Sequence, residues 1–315
     1  MCYIWLEETA CICGRQGRRS ASPPSSVTEA SGSSGPCRAG GSCLFSTVTV
    51  LNPNGTTLGS GGSCATAPFF EPPVPTASGT FTIVIDPSLT NVGTVRVTLY
   101  NVVDITDSVT PNGAAVTKTF TTPGQNLRLT FDGVANHRYA FLAEQLSGAS
   151  CLFINVTVLN PNGTTLGNGG SCGTAPFFEP PVPTATGTFT IVIDPSGANI
   201  GSARVTLYDE VDVTASMTIN GASVPVSLTT PGQMARLTFD VTSGQQVTVR
   251  LTGNTIGFTT VKLLKPNGTE QTSASNSLGS FNLATQTLST AGTYTVVVDP
   301  SLTNTGNITV AVTSP

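Results

Sequence analysis

Residues 43–64 have the sequence CLFSTVTVLNPNGTTLGSGGSC, and residues 151–172 have the sequence CLFINVTVLNPNGTTLGNGGSC. In both stretches apolar, mostly β-branched residues alternate with polar ones up to an Asn-Pro-Asn-Gly segment. This alternation is typical of a half-buried strand. Asn-Gly tolerates the positive φ angles of a tight hairpin turn. The two stretches therefore predict the same β-hairpin, made twice by one chain.

The hairpin belongs to a longer internal repeat. Residues 43–104 and 151–212 are identical at 50 of 62 positions. A more distant copy covers 256–315 and keeps the Pro-Asn-Gly-Thr of 266–269. Counted back from the last strand-like segment, the repeat predicts complete units at 213–315 and 105–212 and the second half of a unit at 43–104.

Turn signals every 8–12 residues and seven or eight short alternating segments per unit predict an all-β fold of tandem antiparallel β-sandwich, jelly-roll-like modules. Residues 1–42 do not match the repeat, and they hold the only Trp and a Ser/Pro/Gly-rich run. We predict a disordered or non-native leader there. A divergent first half of the first unit is the alternative.

The order of the turn and strand motifs resembles a known family. The segments are Thr230-Pro231-Gly232-Gln233, Arg236–Asp240, Gly244–Val249, Pro266-Asn267-Gly268-Thr269 and Gly292–Asp299. They are similar to the bacterial pre-peptidase C-terminal β-sandwiches, and more so to tandem repeats of large bacterial surface proteins, some of which carry Tyr-Asp (YD/RHS) repeats. The resemblance implies secretion and an accessory role without catalysis, and it brings no functional residues.

Four cysteines follow the repeat. Cys43 and Cys64 correspond to Cys151 and Cys172, and the third copy has Ile256 and Ser277 instead. The two cysteines of each pair lie at nearly equal distances from the hairpin turn, and the third copy has lost both. These two observations predict the disulfides Cys43–Cys64 and Cys151–Cys172. Disulfides persist in oxidising compartments, so we expect an extracellular or cell-surface location. No signal peptide is recognisable, and we interpret the N-terminus as truncated or misassigned.

The sequence gives little sign of catalysis or of metal binding. The single histidine, His137, is replaced by Gln245 in the next copy, and no nucleophile motif accompanies it. Cys2, Cys11, Cys13 and Cys37 fit no zinc spacing. Acids at the unit junctions are candidate Ca²⁺ ligands, with solvated turn carboxylates as the alternative. These acids are Asp104, Asp107, Asp209, Glu210 and Asp212.

The composition of the chain argues against some classes of binding partner. The net charge of −4 and the lack of a long basic cluster argue against nucleic acid, and no apolar run is long enough to span a membrane as a helix. The candidate binding loops are Phe69-Phe70-Glu71 and Phe177-Phe178-Glu179, where aromatic side chains beside a Pro-rich segment suit a glycan or a surface protein. Core packing of these rings is the alternative. We predict a non-enzymatic structural or adhesive module, the alternative being a glycan- or protein-binding accessory module of an exported enzyme.

Overall fold

The structure is a computed structural model, and it describes residues 2–9, 45–62, 69–87, 94–148 and 151–315. The chain divides into two compact units. Unit 1 contains residues 1–103 with 122–125, and unit 2 contains residues 104–121 with 126–315. The described residues form strands, turns and irregular segments, and no helix among them is long and apolar enough to cross a membrane.

Residues 105–210 of unit 2 form the sheets that we call sandwich A. One sheet has the order β12-β11-β14-β9-β7 and the other β13-β10-β15-β8. The strands are β7 (Ile105–Ser108), β8 (Val116–Phe120), β9 (Leu127–Gly133), β10 (Arg138–Gly148), β11 (Phe153–Leu159), β12 (Thr165–Ser171), β13 (Phe177–Phe178), β14 (Gly187–Asp194) and β15 (Gly201–Glu210). Their alternate apolar residues meet in one core that includes Phe120, Leu129, Phe153 and Ile191.

Residues 213–313 repeat this topology as sandwich B. Its sheets have the orders β21-β20-β24-β18-β16 and β22-β19-β25-β17, with β23 also paired to β19. The strands are β16 (Val213–Ser216), β17 (Val224–Leu228), β18 (Ala235–Val241), β19 (Gln245–Thr252), β20 (Thr259–Leu264), β21 (Glu270–Asn276), β22 (Phe281–Asn282), β23 (Gln286–Leu288), β24 (Gly292–Pro300) and β25 (Gly306–Thr313). The all-β prediction is confirmed.

One pair of strands in each sandwich departs from the antiparallel prediction. β7 runs parallel to β9, and β16 runs parallel to β18. In each case the short edge strand begins immediately after the connection from the preceding repeat. The chain then crosses to the other sheet, as β8 in sandwich A and β17 in sandwich B, and returns as the strand that runs parallel to the edge strand.

The predicted hairpin is confirmed, and side chains explain its turn. β11 and β12 are antiparallel around Asn160–Gly163. The side-chain Oδ1 of Asn162 accepts hydrogen bonds from the backbone N–H and the hydroxyl of Thr164, at 3.0 and 2.7 Å. Gly163 has φ +82°, a left-handed conformation that glycine adopts without steric cost. The same bonds recur at Asn54 and Asn267.

Unit 1 contains part of this topology. Its sheets have the orders β3-β2-β5 and β4-β1-β6, which correspond to β12-β11-β14 and β13-β10-β15 of sandwich A. The strands are β1 (Cys2–Thr9), β2 (Phe45–Leu51), β3 (Thr57–Gly61), β4 (Phe69–Phe70), β5 (Thr82–Pro87) and β6 (Thr94–Asn101). Counterparts of β7, β8 and β9 do not occur among the residues described for unit 1.

Strand β1 lies within residues 1–42, for which the sequence predicts a disordered or non-native leader. β1 pairs with β6 over eight residues, and it places Ile4 opposite Phe70. Phe141 of β10 lies opposite Phe178 in the same way, so β1 takes the position of β10. Residues 10–42 lie outside the described ones, so the leader and its alternative, a divergent first half of the unit, both stay predictions.

We expect amide hydrogens of β2 and β5 to exchange faster than those of β20 and β24. The buried apolar core of unit 1 contains only Val48 and Val50 among its described residues, whereas that of sandwich B contains 21 residues. Segments with few buried contacts open locally at lower free energy. Hydrogen exchange read by mass spectrometry would compare them in one sample. Equal protection would show that unit 1 has a complete core.

Candidate functional site

The structure joins Cys151 and Cys172 in a disulfide. The bond closes the β11–β12 hairpin at its open end, with a sequence separation of 21. In sandwich B the counterpart of Cys151 is Ile256, which is buried, so an apolar side chain occupies the position of the cross-link there. Cys43 and Cys64 lie outside the described residues, so that pairing stays a prediction.

The aromatic loop of sandwich A lies against its sheet. The ring of Phe178 stacks on Phe141 with centroids 5.0 Å apart, and Phe177 lies 6.3 Å from Tyr208. Phe69, Phe70, Phe177 and Phe178 are all half-buried, whereas Glu71 and Glu179 are exposed. A cavity of only about 70 Å³ lies beside Phe178 and Pro181. This arrangement favours packing over an exposed platform for a sugar ring.

Replacing Phe178 with alanine is expected to destabilise sandwich A by about 2 kcal/mol, because a half-buried ring loses part of the contact energy of a core phenylalanine. Denaturant-dependent hydrogen exchange of β10 and β14 would measure the loss. Phe258→Ala is the control, since its side chain is 51% exposed. An unchanged stability for Phe178→Ala would favour a role in binding over packing.

The most densely charged place in the described residues is the connection between sandwiches A and B, which we call the A–B junction. Arg138 begins β10 of sandwich A. Its Nη2 lies 2.7 Å from Oε2 of Glu210, and its Nη1 lies 2.9 Å from Oδ1 of Asp212. Asp212 also binds Nε of Arg236, on β18 of sandwich B, at 2.9 Å. One linker carboxylate is therefore shared by an arginine from each sandwich.

Backbone contacts add to this network. Nη2 of Arg138 donates to the carbonyl of Gly232 at 3.3 Å, and the backbone N–H of Met234 donates to Asp212 at 3.3 Å. The side-chain amide of Gln233 donates to the carbonyl of Val211 at 2.6 Å. These bonds fix the linker against the turn before β18.

Glu210 is the buried member of the A–B junction. Its side chain is 1% exposed, and its carboxylate faces Arg138 as an ion pair without hydrogen-bond alignment. Burial raises the pKa of Glu210 to about 7, against the opposing effect of Arg138 and with smaller repulsions from Glu179, Asp212 and Asp299. A Cβ atom on Gly232 would overlap Oε1 of Glu210, and Gly232 has φ +80°, so both the space and the backbone favour glycine there.

Part of this arrangement repeats at the start of sandwich A. Asp104 binds Nε of Arg128 at 3.0 Å, as Asp212 binds Arg236. Val102 is the counterpart of Glu210 and is buried at 2% exposure.

Sequence reasoning identified the junction acids but missed their arginine partners. The signal was present, because Asp and Arg recur 24 residues apart in both copies.

The other candidate residues from the sequence are His137, Asp107 and Asp209, and each lies beside another titratable side chain. Nδ1 of His137 lies 3.1 Å from Asp209, on the rim of the A–B junction. Asp107 binds Lys118 at 2.6 Å. No group of three or more His, Cys, Asp or Glu side chains within the described ranges is arranged to hold a metal ion. The carboxylates of Asp104 and Asp212 form ion pairs with the guanidinium groups of Arg128 and Arg236.

Comparisons with known proteins give low similarity. No protein-family model matches the chain, and no curated protein matches its sequence. A solved pre-peptidase C-terminal domain of a collagenase from Bacillus anthracis is 13% identical, covers 33% of this chain and 95% of its own, and has a TM-score of 0.27. PliG from Aeromonas hydrophila, a periplasmic inhibitor of g-type lysozyme, is 14% identical over 32% of this chain and 99% of its own, with a TM-score of 0.24. The CUB1-EGF-CUB2 domains of rat MASP-1 are 10% identical over 67% of this chain and 100% of their own, with a TM-score of 0.20.

Proposed function

We propose that this chain is a non-catalytic structural module of a secreted or cell-surface protein, in which consecutive β-sandwiches are held in a fixed mutual arrangement. The observation that carries the proposal is the sharing of Asp212 between Arg138 of sandwich A and Arg236 of sandwich B. A flexible linker would leave such groups solvated and independent. Here the linker side chains are bonded to both sandwiches.

Two further observations support the proposal. The Cys151–Cys172 disulfide suits an oxidising compartment outside the cytosol. The Asp–Arg pair recurs at Asp104 and Arg128, so the linker before each complete sandwich is fixed to the sandwich that follows it. Repetition of one attachment is what a spacer of stacked modules requires.

The test is the rotational diffusion of the two sandwiches in the full chain. Nitrogen-15 relaxation should give sandwiches A and B the same correlation time. Asp212→Asn should make the two times diverge, because it weakens both ion pairs at once. Asp240→Asn is the matched control, since Asp240 is exposed and bonds Thr293 outside the A–B junction. Independent tumbling of the unmodified sandwiches would contradict the proposal.

A glycan array probed with the full chain tests the accessory-module alternative. We expect no specific binding, because the rings of Phe177 and Phe178 are occupied by contacts within sandwich A. Binding that Phe177→Ala abolishes, without loss of folding, would replace the structural proposal by a glycan-binding one.

A further inference from the structure

Sandwich A provides an internal template for the incomplete sheets of unit 1. Residues 79–86 and 187–194 share the sequence GTFTIVID. β14 pairs with β11 on one edge and with β9 on the other. β5 pairs with β2 on one edge, and no strand described in the structure pairs with its other edge. Among the described strands, the same sequence is therefore a central strand in one copy and an edge strand in the other.

Side chains that are buried in sandwich A are exposed in unit 1. Val97 is 42% exposed, whereas its counterpart Val205 is 0% exposed. Leu99 is 57% exposed, whereas Leu207 is 1% exposed. Contiguous exposed apolar surface on a soluble domain marks an interaction site. The sequence around these residues is nearly identical in the two copies. The difference in exposure is therefore due to the strands that sandwich A has and the described part of unit 1 lacks.

A cavity lies where those strands would contribute side chains. Its volume is about 260 Å³, and it is lined by Val50, Leu58, Pro72, Pro75, Phe81, Ile83 and Leu99. In sandwich A the counterparts of Phe81 and Ile83 lie opposite Phe131 and Leu129 of β9. The ring of Phe131 stacks on Phe189, the counterpart of Phe81, with centroids 5.4 Å apart. The cavity thus corresponds to the positions of the β9 side chains.

We propose that the edge of β5 with which no described strand pairs binds an extended segment of a partner protein along residues 79–85, antiparallel to β5, with large apolar side chains at every second position. Residues 127–133, LRLTFDG, show the pattern that fits this edge in the sister copy. Backbone hydrogen bonds supply the affinity of such strand addition, and alternate side-chain pockets supply its specificity. The cavity beside Phe81 and Leu99 receives the apolar side chains of the partner.

Two other occupants fit less well. Residues 10–44 of this chain contain three large apolar side chains, Ile12, Val27 and Leu44, and their wide spacing does not give the alternating pattern. A second copy would have to release its own β9, in which Leu127 and Leu129 are fully buried. Release would open the core of its sandwich A. A strand from a different protein has neither obstacle.

The test uses the full chain and a synthetic peptide of residues 125–135, QNLRLTFDGVA. The control peptide has serine in place of Leu127, Leu129 and Phe131. We expect the first peptide to bind and to slow amide exchange in β5, and to leave β14 unchanged because that edge is already paired. Equal binding of both peptides, or no slowing in β5, would overturn the proposal. So would a concentration-dependent dimer or full protection of β5 in the absence of peptide.

A blocking variant localises the site. Leu99→Lys places a charge in the cavity, and burial of an unpaired charge is unfavourable enough to weaken peptide binding by at least about tenfold. Val103→Lys is the matched control, because Val103 is 73% exposed and does not line the cavity. Both residues are exposed, so neither variant removes a core contact. Equal peptide affinity in the two variants would place the binding elsewhere.

Discussion

Replacement of Arg138 by glutamine should destabilise sandwich A by about 3 kcal/mol at pH 8. The reason is that the carboxylate of Glu210 remains buried after Arg138 is replaced. Glu210 is 1% exposed and has Arg138 as its ionic partner, so the substitution leaves a buried charge without a counter-charge. Removal of one member of a buried pair costs more than the pair contributes, because desolvation is no longer offset.

The size of this effect should depend on pH. The pKa of Glu210 is raised from 4.5 to about 7, mainly by burial, and Arg138 opposes that rise. Without Arg138 the pKa rises further, so at pH 5 the side chain is protonated and the loss of stability is smaller. In the unmodified chain, the folded state binds more protons than the unfolded state between these two pKa values. The free energy of unfolding should therefore fall as the pH rises from about 4.5 to about 7.

The first repeat supplies the control for Arg138. Val102 occupies the position of Glu210 there and is buried. In a Glu210→Val background, Arg138→Gln should cost much less at pH 8, because no buried carboxylate remains. Denaturant-dependent hydrogen exchange of β10 and β15 would measure all four proteins of this cycle. A loss of the same size in both backgrounds would show that Arg138 acts through Asp212 and Gly232 rather than through Glu210.

Removal of the disulfide with the double substitution Cys151→Ser and Cys172→Ser should lower the stability of sandwich A by roughly 3 kcal/mol, as expected for a loop of this length. The cross-link joins residues 21 apart in sequence and restricts the unfolded chain, although part of the effect can be enthalpic. Sandwich B is the internal control because it has Ile256 and Ser277 at these positions. Its unfolding transition should not move.

Exchange protection of β11 and β12 against denaturant concentration is the measurement for the disulfide variant. Treatment of the unmodified chain with a reductant should reproduce the shift of the double substitution. If both leave β11 and β12 as stable as before, then the apolar core of sandwich A, and not the cross-link, holds the hairpin.

Much of the fold follows from short-range pattern. The alternation of apolar residues predicts the strands, and Asn-Gly at a left-handed position predicts the hairpin turns, because each depends on residues within a few positions. The near-identity of 43–104 and 151–212 predicts that these stretches share strands β2–β6 and β11–β15. Joint loss of both cysteines in the third copy indicated that Cys151 and Cys172 act as a pair.

Only the tertiary structure revealed β1. Its sequence has no counterpart in the repeat, yet it takes the place of β10 beside β6. Sheet pairing uses backbone groups that every residue except proline supplies in full, so an unrelated sequence can complete a sheet. A comparison of the repeat copies detects shared side chains, so it does not identify β1, whose sequence is unrelated to that of β10.

The A–B junction shows the same division between sequence and structure. The sequence determined that Asp104 and Asp212 lie at unit boundaries, because the repeat sets those boundaries. It did not determine that Glu210 is buried against Arg138, which is 72 positions away. The contact depends on how β10 and β15 pair and on the space that Gly232 leaves. Burial and long-range proximity are properties of the packed chain, and they set the ionic partner and the raised pKa of Glu210.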